Sequence, residues 1–221
     1  MSAFPGSPRI LKAGIVPLDP LTAAVLTARM IVLQYNPDSL SRSFAVQAVG
    51  ADGQDYAEAL RLKGPPVETL KLEAEIDATD QLEQPAQNRT STELGIFPQL
   101  ALLETLVYPS SAQLTANNAR LGAGELEIIP MEAPLTLLIW SHARIVPVRI
   151  SEFSITEEAF DPALNPIRAK VSLGLRVLSV DDLGFANKGG GLFMSYLQRK
   201  EQLAASGPGG SLGQLGLTGI P

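Results

Sequence analysis

The chain has 221 residues, enough for one ordinary domain with an extension or for two small domains. Its 17 Lys and Arg stand against 23 Asp and Glu, a formal charge of −6, and it contains no cysteine. That excludes disulfides, thiolate zinc sites and cysteine nucleophiles, and it makes a chain with scattered cations a poor nucleic-acid binder.

Residues 1–28 mix Pro, Gly and small side chains and are read as an N-terminal arm. Pro5, Pro8 and Arg9 interrupt any run of signal-peptide length, and no apolar stretch approaches the ~20 residues that span a bilayer. The β-branched run at 29–35 (RMIVLQY) predicts a strand, and Asn36-Pro37-Asp38-Ser39 is turn chemistry. A second run at 43–49 then returns as its hairpin partner, closed by Ala51-Asp52-Gly53. Alternation is cleanest at 70–77: Leu70, Leu72, Ala74 and Ile76 share one face, and Lys71, Glu73, Glu75 and Asp77 the other. A buried and a wet face are the mark of an antiparallel sheet. Asn88-Arg89-Thr90, a glycosylation sequon, is read as a polar loop.

From 97 to 107 the period changes, and Leu100, Leu103, Leu106 and Val107 predict a helix with Pro98 in its first turn. Residues 109–124 are small and polar and are read as a long loop or an insertion. Strands resume at 134–140 (PLTLLIW) and 144–155, where the apolar phase slips near Glu152 and predicts a bulge. Phe160-Asp161-Pro162 and Asn165-Pro166 mark a turn, and 169–177 alternates as a last long strand. Gly189-Gly190-Gly191 is read as a hinge before a helix at 192–205, with an apolar stripe of Leu192, Tyr196, Leu197, Lys200, Leu203 and Ala204. Residues 207–221 are Gly-rich and are read as a tail or tether.

Catalytic parts are scarce. His142, the single histidine, could serve as a general base beside Ser141, but no G-x-S-x-G turn or orienting carboxylate accompanies it. It is read as a hairpin-turn residue. Glu157-Glu158 and Asp181-Asp182 lack ion-loop spacing and are read as solvated charges. The triple glycine lacks the G-x-x-x-x-G-K-[ST] pattern of a phosphate cradle. Two alternatives stay open: whether Glu73, Glu75 and Asp77 line a channel or simply face solvent, and whether the 192–205 helix docks on its own domain or on a neighbour. A small-ligand or polysaccharide-binding module is disfavoured by an aromatic share of only 5%.

Taken in order, IVLQYNPDS at 31–39, LKLEAEID at 70–77, the helix at 96–108, PLTLLIW at 134–140, Val148-Arg149-Ile150, Phe160-Asp161 and NPIRA at 165–169 carry a family likeness. The chain resembles the tube-domain proteins of contractile injection systems, related to phage tail-tube and baseplate proteins, over about residues 29–180. It departs from them at Ser141-His142, where the family usually has Gly after Trp, and in these 221 residues only the 192–205 helix and a Gly-rich segment stand where many tube-to-spike adaptors carry a LysM module. The resemblance implies a mainly β (α+β) fold: an antiparallel β-barrel or sandwich at 29–182 with one packed helix, then a C-terminal extension at 183–221.

It further implies a hexameric baseplate ring joining the inner tube to the spike, with the main inner-tube subunit as the alternative. Its expected partners are other copies of itself, the inner tube protein, the spike protein and other baseplate proteins, with no nucleic acid and no membrane insertion. No cofactor, metal or catalytic residue is expected. The candidate contacts are Glu73, Glu75, Asp77, Leu192, Phe193, Tyr196 and Leu197. Synthesis and assembly are expected in the bacterial cytoplasm, in a particle that is released, membrane-anchored or kept inside the cell. Removal of residues 190–221 is expected to leave the barrel folded.

Overall fold

A computed structural model describes residues 11–19, 22–48, 61–124 and 133–220. In chain order its strands are β1 (Gly14–Leu18), β2 (Ile31–Val32), β3 (Leu40–Ala45), β4 (Val67–Asp77), β5 (Leu135–Ser141), β6 (Arg144–Phe160) and β7 (Pro166–Val177). They form one seven-stranded sheet, ordered β2-β1-β5-β6-β7-β4-β3, and every ladder in it is antiparallel. Helices α1 (Thr79–Leu82), α2 (Arg89–Leu94), α3 (Phe97–Glu104) and α4 (Ser111–Gly122) lie between β4 and β5, and α5 (Val180–Leu183) and α6 (Lys188–Ala205) follow β7. The mainly β, α+β class expected from the sequence holds.

The period-2 strands stand where the alternation put them. Leu70, Leu72 and Ala74 of β4 face Leu175, Leu173 and Val171 of β7, all buried, so each pair removes apolar surface from water on one face. The register between β6 and β7 shifts between Ile150 and Glu152, the bulge predicted from the phase slip. At the β6–β7 turn the Asp161 carboxylate accepts hydrogen bonds from the Ala163 N–H at 2.7 Å and the Asn165 N–H at 2.8 Å.

The sheet curls on itself. Ile31 and Leu33, at one end of the strand order, share a single core with Leu70, Leu72 and Ala74, near the other end. Beyond β2 the Gln34 side chain spans the gap: its Nε2 donates to the Asp77 carbonyl at 2.7 Å, and its Oε1 accepts from the Asp77 N–H at 2.9 Å. Since β3 pairs with β4 only as far as Leu72, this amide stands where a further strand would. The barrel is therefore a curled sheet closed by a side chain, with β2 and β3 as its edges.

Several expectations give way. Residues 14–18 are not part of an arm but the strand β1, buried at every position. Its inner face joins the main core, and Val16 and Leu18 pack outside with Leu137 and Leu192, so the strand reads as an unbroken apolar run. Pro17 is accommodated because β2 pairs only with Gly14 and Ile15 and ends before it. The runs at 29–35 and 43–49 are not hairpin partners: β2 pairs with β1 and β3 with β4, at opposite edges of the sheet. Ala51-Asp52-Gly53 lies outside the described residues.

The single helix expected near 97–107 is α3, one of four among the described residues between β4 and β5. It buries Leu100 and Leu103, with Leu106 just beyond, while Val107 is exposed. The loop expected at 109–124 is largely α4, whose start is fixed by a capping box of Ser110 and Gln113. Asn88, assigned to a loop with Arg89 and Thr90, precedes α2 and donates through Nδ2 to the Gln81 and Gln84 carbonyls. The triple glycine is no hinge but the first turn of α6, where a Cβ on Gly190 would lie 2.0 Å from the Gly184 carbonyl oxygen. Gly190 is there so that α6 can pass that close to the turn after α5.

Candidate assembly surfaces and a buried carboxylate

Glu73 and Glu75 sit on the outer, exposed side of β4, as the alternation requires. The antiparallel register sets Glu75 opposite Lys170 and Asp77 opposite Arg168. Arg168 lies 2.7 Å from Asp77 and 3.8 Å from Glu75, Lys170 bonds Glu158 at 2.8 Å, and Lys71 bonds Glu152 at 2.8 Å. The wall is thus a lattice of compensated charges rather than a bare acidic stripe. Water and salt screen such exposed pairs, so the lattice sets surface chemistry more than stability. Burial pushes the Asp77 carboxyl up, but bonds from the Thr79 hydroxyl and N–H and the Arg168 guanidinium outweigh it and hold the group below the ordinary range.

The residues that tie α6 to the barrel are Glu68, Arg42 and Lys200, together with Tyr196. Glu68 is 3% exposed and lies in phase with Leu70 and Leu72 on the inner face of β4. Arg42 on β3 reaches Glu68 Oε1 through Nε at 3.0 Å and Nη2 at 2.9 Å. From α6, Tyr196 Oη donates to Oε1 at 3.0 Å and Lys200 Nζ to Oε2 at 2.8 Å. Phe44 lies under both cations, with its ring centroid 5.0 Å from Arg42 and 5.3 Å from Lys200. Burial drives the Glu68 carboxyl up, yet Lys200, Arg42 and Tyr196 together hold it below its ordinary value. Arg42 is correspondingly raised: its partial burial opposes the charge, and Glu68 outweighs that.

The candidate contacts therefore divide. Glu73 and Glu75 remain on the surface, and Asp77 is engaged by Arg168 and Thr79. Phe193 and Tyr196 are buried within the chain, and Leu192 and Leu197 are partly buried against its cores. Of the two dispositions left open for the C-terminal helix, it takes the first and docks on its own domain. Lys200 belongs to the apolar stripe through its stem only, its charge being spent on Glu68. One signal for this site stood in the sequence: Glu68 precedes Leu70 by two residues, a carboxylate on the apolar phase of a strand.

His142 occupies the tight turn between β5 and β6. Asp182 is not a solvated charge: it bonds Arg176 at 2.6 Å and accepts the Ser179 N–H at 2.9 Å at the start of α5. Glu158, read likewise, is paired with Lys170. Among the described residues no group of three or more His, Asp or Glu could hold a metal ion, and no helix is long and apolar enough to cross a membrane.

Two further surfaces stand out. The edge strands β2 and β3 carry the exposed apolar side chains Val32 and Phe44. Between β2, the end of β4 and α3 lies an apolar groove of about 210 Å3, lined by Ile31, Leu33, Ala74, Leu102, Leu103 and Val171 among others.

No family model and no curated protein matches the chain. Among solved structures, a chain from the virion of a native gene transfer agent particle superposes with a TM-score of 0.27 at 10% identity, over 75% of this chain and 95% of that one. A likeness of that size assigns neither a shared fold nor a shared role.

Proposed function

We propose that this chain is a structural, non-catalytic subunit of a phage tail-like particle of the contractile-injection type. In this reading six copies form a baseplate ring that joins the inner tube to the spike. The observation that carries it is the pair of free sheet edges. Among the described residues the curled antiparallel sheet ends in β2 and β3, and neither pairs with a further strand, which leaves backbone donors and acceptors along two edges. A neighbouring copy can meet such edges in a head-to-tail contact, which closes into a ring when the rotation per copy is right. The order of motifs that resembles the tube-domain family runs through the same strands, from β2 to β7. Assembly in the bacterial cytoplasm follows from the same reading.

The test is light scattering and electron imaging of the purified chain, alone and mixed with the inner-tube and spike proteins of a contractile particle. Six-membered rings with a central opening, recruited once per particle to the tube–spike junction, are the expected result. Many stacked rings per particle would make the chain the tube subunit instead. A chain that stays monomeric in every mixture would sink the reading. Replacing His142 with Gln is expected to leave assembly unchanged.

A further inference from the structure

Strand β6 outruns its neighbour. Its pairing with β5 ends at Val148, whereas its ladder with β7 runs on to Phe160. Beyond Val148 one side of β6 therefore faces no strand among the described residues. Backbone groups alternate in direction along an antiparallel ladder. Asp77 turns its N–H and C=O to Gln34, away from β7. Carried through the register, that alternation points the backbone groups of Phe153, Ile155 and Glu157 off the sheet at β6. At β3 it does the same for Leu40, Arg42 and Phe44. The side chains agree: Phe153 and Ile155 are only partly buried, although Leu173 and Val171 opposite them are 1% and 0% exposed. Neither 40–45 nor 151–160 contains the lysine or proline that commonly blunts an edge.

We propose that the β3 edge of one copy pairs antiparallel with this free stretch of β6 on a second copy. In the register proposed, Glu157 stands opposite Arg42, Ile155 opposite Phe44 and Phe153 opposite Val46. Direction, face and charge all select it. Strands β6, β7, β4 and β3 alternate in direction, so the outer two run oppositely, and a copy set alongside in the same orientation meets them antiparallel. Arg42 and Phe44 lie in phase with Leu70 and Glu68, and Phe153 and Ile155 with Leu173 and Val171, so all four sit on the inner face. Phe44 and Val46 are 47% and 68% exposed and each gains an apolar neighbour. Arg42 and Lys200 share the one carboxylate of Glu68, a surplus of positive charge, whereas Glu157 has no cation partner among the described residues. Two β3 edges would set cation against cation, and two β6 edges acid against acid. Strand β2 offers less, being only Ile31 and Val32 beside a gap that Gln34 spans. The register also suits closure. Within one chain Arg42 lies in a row with Leu70, Leu175 and Ile150, but across the contact it meets Glu157, which faces Ala169. A shift from Leu175 to Ala169 over four strands tilts them by about 45°, the tilt of a closed barrel. The proposal rests on the ring reading above and names the contact within it.

The chain has no cysteine, so a disulfide reports only introduced pairs. The register sets the exposed Ser43 and Thr156 opposite each other in a non-hydrogen-bonded pair. Their Cα atoms would be ~4.5 Å apart, a spacing a disulfide accepts. Within one chain they lie three strands apart, roughly 14 Å, beyond its reach. Full-length Ser43→Cys and Thr156→Cys chains are mixed and oxidised, with Ser154→Cys replacing Thr156→Cys as the out-of-register control. A two-chain product that needs both variants and falls several-fold with the control is the expected result. A product from either variant alone would overturn the head-to-tail pairing, and an equal yield from the control would overturn the register. Glu157→Gln is expected to weaken association roughly fivefold with no change in melting, and unaltered association would overturn its pairing with Arg42. Light scattering on the same samples separates the two proposals. Oligomers without the two-chain product would overturn this contact and leave the ring standing, whereas monomers without it would overturn both.

Discussion

At the scale of single residues, Glu68 carries the most consequence. A carboxylate 3% exposed on an apolar strand face is tolerable only because Arg42, Tyr196 and Lys200 all donate to it. Replacing it with Gln leaves two cations facing an amide. Because the Arg42 and Lys200 side chains are 28% and 34% exposed, water recovers part of the loss. The destabilisation is expected at about 2 kcal/mol, below the 3–5 kcal/mol of a fully buried pair. Urea denaturation of Glu68→Gln against the native chain measures it. The pH dependence has a definite sign. A carboxyl held below its unfolded pKa of about 4.3 stabilises the fold above that value and loses the contribution as pH falls through the lowered folded value. The gap between native chain and Glu68→Gln should therefore be full at pH 7 and narrow below about pH 4. A gap that stays constant across that range would show that the carboxylate charge is not what holds α6.

At the scale of elements, the glycines opening α6 distinguish a packed helix start from a hinge. A Cβ on Gly190 would sit 2.0 Å from the Gly184 carbonyl oxygen, which is backbone and cannot swing aside, whereas Gly191 faces open space. Gly190→Ala is expected to destabilise by about 1–3 kcal/mol, the range for overpacking. Gly191→Ala should be neutral or stabilising by up to ~1 kcal/mol, since Ala is the better helix former. Thermal melts of the two variants decide between the readings, because a hinge would respond alike to both. The elements legible in the sequence were those with one wet face: β4, β7 and the bulged β6 announce themselves by alternation. The strand β1 does not, because both its faces are covered and Pro17 gives it the look of a coil. Helix α4 has no buried residue and hence no apolar stripe; its legible mark was the capping pair Ser110 and Gln113.

At the scale of the whole molecule, α6 belongs to the barrel. Phe193 and Tyr196 are buried in the main core, and a buried Phe alone contributes ~1.5–3 kcal/mol. Deleting residues 190–221 also strips Glu68 of two of its three donors. Against a total stability of about 5–15 kcal/mol, that loss should lower the unfolding midpoint sharply, the reverse of the expectation from sequence. Deleting only 206–221, whose described residues are exposed, should shift it little. Melting the two truncations side by side is the check: equal stability would return α6 to the status of an appendage.

By itself the sequence determined the class of fold, the two-faced strands and the scarcity of catalytic groups. Periodicity and composition are local properties, and the hydrophobic effect converts them directly into which face is buried. Only the tertiary structure decided which strands are neighbours, that β2 and β3 lie at opposite edges, and that the acids of β4 meet the cations of β7. It alone set Glu68 against a helix 128 residues away. Pairing and burial of charge depend on contacts distant in sequence, and no window along the chain contains both partners.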